Sequence, residues 1–478
     1  MSKQVREIGS IIGERIDYSG EVIPVFNKYN GEVLANVRCA SREVVAEAVA
    51  EAVRTFRTTK LTPTERSGIL LKAAQLVRER REEFARSMVR EVGRTIRDCR
   101  VEVDRLINTL TISAEEAKRI AGHGVPIDGL AGHENRLAFT VRVPVGVIGA
   151  ITPFNNPLNL TAHKIAPAIA AGNTVVLKPA EVAPITVMML ADVLREAGLP
   201  PGFLNVVNGL GGQTGQYLLE DERINMYTFT GSLGVGKHIK QTTGIRKVTL
   251  ELGSNSPTIV HKDADNLDDI AQICAMRGFT ATNGQACISV QRLYVHVDIF
   301  DEFVAKLVDC AERIKMGDPE LEETDLGPLI SEKEARRIEE WVSEAVASGA
   351  RIVCGGRRSG VFFQPTVLTN VDAAMKVMCK EVFGPVINVV AYDDVDEVFR
   401  QVNDSEFGLQ AGLFTSSLPL AMRAVYELEF GGVMINDVST YRSDAMPYGG
   451  TNNSGLGKEG PRYAIEEMTD ERIIVMKL

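Results

Sequence analysis

The feature that most constrains the fold is a regular alternation of apolar runs and helical patterns between Val145 and Gly253. The apolar runs are VGVIGAI, NTVVLKP, FLNVVNG, INMYTFTG and KVTLELG, and the stretches between them, such as EVAPITVMMLADVLREAG, have helical periodicity. Continuous apolar runs of this length are typical of strands buried on both faces, and parallel strands need crossover helices. The pattern therefore predicts an open, mostly parallel α/β sheet.

A second alternating series follows Ser256, with apolar runs PTIVH, RLYVHV, ARIVCGG, VINVVAY and GGVMIND. Helical patterns near DEFVAKLVDCAERI and EKEARRIEEWVSEAV separate some of them. The length of 478 residues is enough for about two or three domains. We therefore expect an α/β protein with two Rossmann-like open-sheet lobes. The pattern of residues 41–120 predicts a set of amphipathic helices packed on another part of the structure.

Two further segments alternate in the manner of exposed strands. In ENRLAFTVRVPVG, the apolar residues at 137, 139, 141 and 143 share one face, and the C-terminal segment ERIIVMKL is also apolar. An isolated ribbon is only marginally stable, and an unpaired strand edge tends to pair with another chain. We expect these segments to form a small β arm that holds a homodimer or homotetramer together.

Composition excludes several classes of protein and of site. The chain has 53 Lys and Arg against 63 Asp and Glu, a formal charge of -10, so it offers no basic surface for nucleic acid. No stretch is apolar enough for a membrane span, and the start MSKQVREIGS lacks the core of a signal peptide. From these two features we expect a cytoplasmic location. The seven cysteines form no CxxC pair and the histidines form no HExxH motif, so we expect no bound metal.

Two segments at strand ends of the first lobe are candidate binding elements. After INMYTFT come Gly231, Ser232 and Gly234, small residues at a helix start where backbone N–H groups could meet a diphosphate. The spacing is not GxGxxG, and a plain strand-to-helix turn is the alternative. Lys178 and Glu181 follow another strand and place a cation and a carboxylate at the same edge, unless they form only a solvated loop.

Two residues are candidates for covalent chemistry. Cys287 lies in NGQACIS, a polar loop between a helical stretch and a predicted strand, although a lone cysteine is more often inert packing. Glu251 ends the apolar strand KVTLELG, where a carboxylate has no evident structural use, although a strand-terminal Glu can simply be a surface residue.

Taken together, these segments resemble the aldehyde dehydrogenase superfamily. The motifs TPFNNP, KPAE, FTGS, LELG, GQACIS, EVFGP, MPYGG and SGLGKEG occur in that family's order and approximate spacing over nearly the whole chain. The resemblance implies NAD(P)-dependent oxidation of an aldehyde to the acid through a thiohemiacetal and a thioester. Cys287 would be the nucleophile, Glu251 the general base and Asn155 an oxyanion donor.

The resemblance also implies a cofactor site. Its expected residues are Thr152, Pro153, Phe154, Lys178, Glu181, Gly211, Gly231, Ser232, Leu252, Glu381 and Phe383. Phe154 stands where the family often has Trp, and Ser254 and Asn255 replace a frequent Gly-Lys, which leaves the hydrogen bonding of Glu251 open. Since a carboxylate such as Glu181 accepts a hydrogen bond from a ribose hydroxyl and repels a phosphate, we expect NAD to be preferred, with NADP possible.

The same resemblance divides the chain into domains. It implies a dinucleotide-binding domain of residues 1–123 and 145–250, an oligomerisation arm of residues 124–144 and 461–478, and a catalytic domain of residues 251–460.

Substrate preference is the least explicit part of the sequence. Positions equivalent to the family's substrate funnel hold Arg105, His163 and Arg442. Arg105 is otherwise an exposed helix charge and His163 a satisfied core histidine, whereas Arg442 lies in a loop beside a glycine-rich segment and is suited to an anion. Within the family the chain resembles members that oxidise lactaldehyde, sulfolactaldehyde and phosphonoacetaldehyde, so we expect a small anionic or hydroxylated aldehyde.

Two alternatives remain open. In an acylating relative, coenzyme A and not water would take the thioester, but such an enzyme has no need for the base Glu251. A catalytically silent binding or structural protein on the same fold is the other alternative, and the presence of Cys287, Glu251 and Asn155 together argues against it.

Overall fold

The computed structural model describes residues 5–478 and contains the two expected α/β lobes. The first lobe is built on an eight-stranded sheet. In spatial order its strands are Gly455–Leu456, Lys247–Glu251, Met226–Thr230, Val147–Ile151, Thr174–Lys178, Leu204–Val206, Ser10–Ile12 and Arg15–Asp17. The five central strands are parallel, and the strands at both edges are antiparallel to their neighbours.

The second lobe is built on a seven-stranded sheet, parallel except for its first strand. In spatial order the strands are Arg351–Cys354, Thr366–Thr369, Val386–Tyr392, Arg292–His296, Pro257–Val260, Gln410–Phe414 and Gly432–Ile435. The chain also forms two three-stranded sheets. One pairs Arg6–Ile8, Val33–Arg38 and Val22–Phe26, and the other pairs Thr469–Lys477, Arg136–Pro144 and Gly124–Val125.

Helices cover the sheets of both lobes. In chain order they are Arg42–Thr58, Pro63–Glu79, Arg81–Val92, Ile96–Glu116, Pro157–Ala171, Ile185–Glu196, Gln216–Glu220, Leu233–Thr243, Leu267–Ala275, Phe300–Glu312, Glu332–Ala347, Lys376–Cys379, Val395–Asn403, Leu418–Glu427 and Pro461–Glu467. Local sequence fixes several of their starts. The Thr62 side chain accepts a hydrogen bond from Glu65 N while the Glu65 side chain accepts one from Thr62 N, a capping box that begins the helix Pro63–Glu79.

The helix Pro157–Ala171 lies at the centre of the first lobe. All of its residues are buried, and it contacts the helices Ile96–Glu116 and Pro461–Glu467. A helix that is buried on every side needs neighbours on every side, and the helices of the N-terminal segment supply part of this cover. Its first turn and Lys164 therefore face the interior of the molecule, and both matter for the site described next.

The small sheet formed by Thr469–Lys477 and Arg136–Pro144 leaves one edge free. Thr469–Lys477 pairs with Arg136–Pro144 over its full length and has no neighbour on its other side within residues 5–478. Ile473 and Val475 are each about half exposed. Within the same part of the chain, no helix combines the length and apolar character needed to cross a membrane.

Candidate active site

A cleft of about 540 Å³ lies at the carboxyl ends of the parallel strands of the first sheet. Residues that precede strands of the second sheet close its other side, so the cleft lies between the two lobes. Every residue predicted for catalysis or cofactor binding lines this cleft. They are Thr152, Pro153, Phe154, Asn155, Lys178, Glu181, Gly211, Gly231, Ser232, Glu251, Leu252, Cys287, Glu381 and Phe383.

A strained turn presents Cys287 to the cleft. Thr282, Asn283 and Gly284 all have left-handed backbone conformations, with φ of 51°, 55° and 74°. A Cβ atom at Gly284 would lie 2.4 Å from the carbonyl carbon of Gly384, so only glycine fits there. The Asn283 side-chain amide donates hydrogen bonds to two backbone carbonyls, at 2.9 Å each, and these bonds hold the turn in place.

The Cys287 thiol has one close polar neighbour in the described chain. Its Sγ atom lies 3.1 Å from the hydroxyl oxygen of Tyr448. Burial raises the pKa of the Cys287 thiol to about 11, and the hydrogen bond from Tyr448 acts in the opposite direction. A nucleophilic thiolate therefore depends on donors placed around the sulfur.

Asn155 lies in the loop between the strand Val147–Ile151 and the helix Pro157–Ala171, and it lines the same cleft as Cys287. Its side-chain nitrogen donates a hydrogen bond of 2.9 Å to the carbonyl of Gln285, in the loop that carries Cys287. That bond uses one of its two amide hydrogens and leaves the second for another acceptor. The buried Arg94 donates a bond of 3.0 Å to the backbone carbonyl of Asn155, which fixes the position of its main chain.

Glu251 ends the strand Lys247–Glu251 as a buried carboxyl group. Neither of its oxygens has a hydrogen-bond partner within residues 5–478. Burial raises its pKa well above the usual range, the nearby Glu459 carboxylate raises it further, and Arg442 opposes both effects. Ser254 and Asn255 do not restrain it, because Ser254 N donates to Glu381 and the Asn255 amide donates to a backbone carbonyl.

A buried cluster of charged side chains lies behind Glu251. Glu459 accepts bonds from Lys164 Nζ at 2.6 Å and from Arg442 Nη2 at 3.0 Å. Burial disfavours ionisation of Glu459, but these two cations more than offset it and lower its pKa to about 2. The Arg442 guanidinium also stacks on the Tyr448 ring, 3.6 Å from its centre. We call Lys164, Glu251, Arg442 and Glu459 the charged cluster.

The other two predicted substrate residues meet at Asp444. Arg105 Nη2 lies 2.8 Å and His163 Nε2 lies 3.0 Å from Asp444 Oδ1. Burial raises the pKa of Asp444, but the hydrogen bond from His163 and the charge of Arg105 outweigh it and hold the pKa well below the usual range. Arg105, His163 and Arg442 do not line the 540 Å³ cleft, and in this structure each is paired with a carboxylate.

Comparison with protein-family models decides the family to which this chain belongs. The model of the aldehyde dehydrogenase family matches residues 16–474. The chain belongs to the aldehyde dehydrogenase family. The resemblance inferred from the motifs is therefore confirmed, as is the α/β architecture with two Rossmann-like lobes. As a member, it is an NAD(P)-dependent oxidoreductase that acts on an aldehyde group.

Two curated relatives illustrate the range of similar sequences. The 3-sulfolactaldehyde dehydrogenase of Priestia aryabhattai is 54% identical over 475 residues, and the alignment covers 99% of each chain. The lactaldehyde dehydrogenase of Methanococcus aeolicus is 38% identical, with 95% of this chain and 97% of the relative covered.

Solved structures of the family superpose closely. Aldehyde dehydrogenase 21 of Physcomitrella patens, in complex with its product succinate, is 36% identical with a TM-score of 0.95, and 99% of each chain is covered. The NADP complex of glyceraldehyde-3-phosphate dehydrogenase from Methanocaldococcus jannaschii is 38% identical with a TM-score of 0.92, covering 97% of this chain and all of that one. The NAD+ complex of the Bacillus cereus enzyme is 32% identical with a TM-score of 0.94, covering 99% and 97%.

The cleft of this aldehyde dehydrogenase fits a dinucleotide. Ser232 caps the helix Leu233–Thr243 without using its hydroxyl for the cap, so N–H groups of the first turn are left to meet a diphosphate. Glu181 is partly exposed and carries a carboxylate suited to a ribose hydroxyl. At the other end, a Cβ atom on Gly253 would lie 2.4 Å from Glu381 Oε2, so glycine lets that carboxylate approach the cleft.

Aromatic side chains form a wall of the same cleft. The rings of Phe154 and Phe383 meet edge to face with centres 6.0 Å apart. Phe383 has a positive φ of 53°, an unusual conformation for a bulky residue and one that persists only where neighbours impose it. Phe154, which stands where the family often has Trp, therefore keeps an apolar surface at this position.

Sequence reasoning missed several residues of the site. Arg337 and Trp341, on the helix Glu332–Ala347, line the cleft, and the Arg337 guanidinium lies 4.6 Å from the centre of the Trp341 ring. The helical pattern of this segment was evident, but no local feature indicated which of its faces meets the other lobe. Tyr448 is within the motif MPYGG, and only its proximity to Cys287 identifies it as part of the site.

Proposed function

We propose that this aldehyde dehydrogenase oxidises a small aldehyde that carries an anionic group, such as the sulfonate of 3-sulfolactaldehyde, to the carboxylic acid. One observation carries the proposal. Arg442 is buried beside Cys287 and Glu251, and its Nε atom has no hydrogen-bond partner within residues 5–478. A buried cationic donor without a partner is costly unless a ligand supplies an acceptor.

The charge balance of the cluster supports the same substrate class. Lys164 and Arg442 are cations, and Glu459 is ionised because both of them contact it. Burial and the neighbouring Glu459 raise the pKa of Glu251, which disfavours a second negative charge in the cluster. Two cations therefore share the Glu459 carboxylate, and this arrangement favours an anionic aldehyde near Cys287.

The first chemical step is addition of Cys287 to the aldehyde. The Sγ electron pair forms a bond to the carbonyl carbon, and the carbonyl π pair moves to oxygen. The free N–H of the Asn155 amide and the Cys287 backbone N–H are the donors for that oxygen, and one such donor is worth about 3 kcal/mol. A nicotinamide held in the cleft by residues such as Ser232 and Glu381 would accept the hydride that leaves this carbon, and the oxygen electron pair would then re-form the carbonyl to give the thioester.

Hydrolysis of the thioester requires a base, and Glu251 is placed for it. Its oxygens are free of hydrogen bonds, so a water molecule entering the site can donate to the carboxylate. Glu251 takes the proton of that water while the water oxygen bonds to the acyl carbon and the C–S bond breaks. The electron pair of that bond returns to Cys287 as thiolate.

Arg105 and His163 are proposed as the remaining substrate contacts. Both point at Asp444, whose carboxylate also accepts a bond of 3.0 Å from the Asn159 amide. Because Arg105 keeps about a quarter of its side chain exposed, a substrate anion or hydroxyl can share this cation with Asp444. The sulfolactaldehyde and lactaldehyde activities of the relatives support a substrate with both groups.

Steady-state assays of cofactor reduction test the proposed function. The substrates are 3-sulfolactaldehyde, lactaldehyde and propanal, each with NAD and NADP and each with and without coenzyme A. The proposal predicts the highest kcat/KM for the sulfonated aldehyde and free acid as the product. Dependence on coenzyme A would assign the acylating alternative, and absence of reduction with every aldehyde would leave a binding protein.

We propose in addition that the enzyme is a cytoplasmic homodimer or homotetramer. The free outer edge of Thr469–Lys477 is the candidate contact, because unpaired strand edges with exposed apolar side chains favour pairing. This strand and Arg136–Pro144 belong to the proposed arm of residues 124–144 and 461–478. All seven cysteines are free, which suits a reducing compartment. A sedimentation experiment that finds a stable monomer would remove the assembly proposal.

A further inference from the structure

Tyr448 is held rigidly against the thiol of Cys287. Its side chain is 2% exposed, and its backbone exchanges two hydrogen bonds with Glu459, at 3.0 and 2.6 Å. The Arg442 guanidinium covers one face of the ring at 3.6 Å. Clamped in this way, the phenol oxygen lies 3.1 Å from Cys287 Sγ, within the range of a hydrogen bond to sulfur.

The direction of this hydrogen bond follows from the chemistry of the two groups. Burial and the neighbouring Cys287 raise the pKa of Tyr448 well above its usual value, so the phenol keeps its proton. A thiolate has only lone pairs to offer and must accept. The cation stacked on the ring withdraws electron density from it, which strengthens the O–H as a donor.

The other charged groups around the sulfur do not replace this donor. Glu381 and Glu251 raise the pKa of the thiol, whereas Arg442 lowers it through its charge alone. Tyr448 is the side chain of the described part of the molecule that reaches hydrogen-bond distance of Sγ. The stability of the thiolate is therefore sensitive to a single hydroxyl group.

We propose that Tyr448 is a further catalytic residue, whose hydroxyl donates a hydrogen bond to Cys287 Sγ in the attacking thiolate and again when the thiolate leaves the acyl carbon. The inference rests on the proposed function only in taking Cys287 as the nucleophile. In the second event the C–S bond breaks, sulfur keeps the electron pair, and the Tyr448 O–H bond points at that pair. The proton of the attacking water goes to Glu251, so Tyr448 keeps its own proton throughout.

The test compares Tyr448→Phe with wild type by alkylation of Cys287. Phenylalanine keeps the ring beneath Arg442 and removes only the hydroxyl group. The protein is treated with iodoacetamide across the pH range, with and without NAD, and modification of the Cys287 peptide is followed by mass spectrometry. Loss of a hydrogen bond to an ionised group is expected to slow alkylation near neutral pH about ten-fold and to move its inflection up by about one pH unit.

A matched control and a second readout separate catalysis from structure. Tyr463→Phe removes a half-buried phenol hydroxyl from the helix Pro461–Glu467 and should leave the alkylation profile unchanged. With an aldehyde substrate, Tyr448→Phe should lower kcat about ten-fold with little change in KM or in NAD binding. An alkylation rate and inflection equal to those of wild type would overturn the proposal.

The outcome is independent of the identity of the aldehyde, because alkylation requires none. Failure of the proposed function would appear elsewhere, as turnover that survives Cys287→Ala or as no preference for anionic aldehydes. A Tyr448→Phe variant that raises KM alone would make the ring a wall of the substrate pocket and would also overturn the proposal.

Discussion

The two sides of Cys287 are built on opposite principles. On the cofactor side, the cleft is lined by strand ends, glycines and a helix start, and it offers backbone N–H groups and partly exposed side chains. On the side of the charged cluster, the side chains are buried, and Lys164 and Arg442 form short ion pairs with Glu459. From this comparison we infer that main-chain geometry would hold the cofactor, whereas side-chain charge would select the substrate.

The largest expected effect is that of the nucleophile itself. Cys287→Ala should reduce aldehyde oxidation by at least about a thousand-fold, since no other cysteine of residues 5–478 lines the cleft to form the thioester. Dinucleotide binding, which depends on the other side of the site, should be nearly unchanged when measured by fluorescence titration. Cys379→Ala, at a cysteine outside the cleft, is the matched control. Turnover above a few per cent in Cys287→Ala would disprove the covalent mechanism.

Glu251→Gln should separate acylation from hydrolysis. An amide cannot take a proton from water, so we expect one rapid turnover of NAD reduction and a steady state about a hundred-fold slower than wild type. Stopped-flow absorbance of the reduced cofactor measures both phases. A variant without the rapid phase would instead assign Glu251 to activation of the thiol.

The preference for NAD or NADP tests the cofactor side of Cys287 and not the charged cluster. Glu181 lines the cleft beside Lys178, with 3.2 Å between Glu181 Oε2 and Lys178 Nζ, and we propose that it contacts the ribose. A carboxylate accepts a bond from the 2′-hydroxyl of NAD and repels the 2′-phosphate of NADP, so wild type should favour NAD by about tens-fold in kcat/KM. Glu181→Ala should reduce that ratio and leave the preference among aldehydes unchanged. A wild type that favours NADP would show that Glu181 does not read the ribose.

The smallest effect concerns pH and belongs to the charged cluster. Burial raises the pKa of Glu251 and the Glu459 carboxylate raises it further, so the ionised base becomes available only as pH rises above the usual carboxyl range. The rate of acyl-enzyme hydrolysis should therefore climb with pH through that raised value. Glu459→Gln removes the neighbouring negative charge and should lower the midpoint of this pH dependence by about one pH unit. A midpoint equal to that of wild type would show that Glu459 does not raise the pKa of Glu251.

The cofactor side could be predicted from the sequence for a physical reason. Carboxyl ends of adjacent parallel strands meet at one edge, so motifs such as KPAE, FTGS and LELG converge once the strands are assigned. The charged cluster could not be assembled in this way. Lys164 lies within a largely apolar helix, and its pairing with Glu459 joins positions 295 residues apart.

Long-range pairing also limited the interpretation of the substrate residues. Arg105 and His163 were identified separately, but nothing local indicated that both would meet Asp444. The N-terminal strands Arg6–Ile8 and Val22–Phe26 were missed as well, because runs of three to five residues carry little periodic signal. Glu251 was correctly placed at a strand end, yet only the structure shows that its oxygens are left without partners.

The central claim is that the charged cluster selects an anionic aldehyde through Arg442. The most direct test is the ratio of kcat/KM for 3-sulfolactaldehyde to that for lactaldehyde, two aldehydes that differ by the sulfonate, in wild type and in Arg442→Leu. The account predicts a ratio well above one in wild type and a fall of about ten- to a hundred-fold in the variant, the value of a charge-assisted contact. Arg42→Leu, a surface control, should keep the wild-type ratio. Equal losses for both aldehydes in Arg442→Leu would contradict the account.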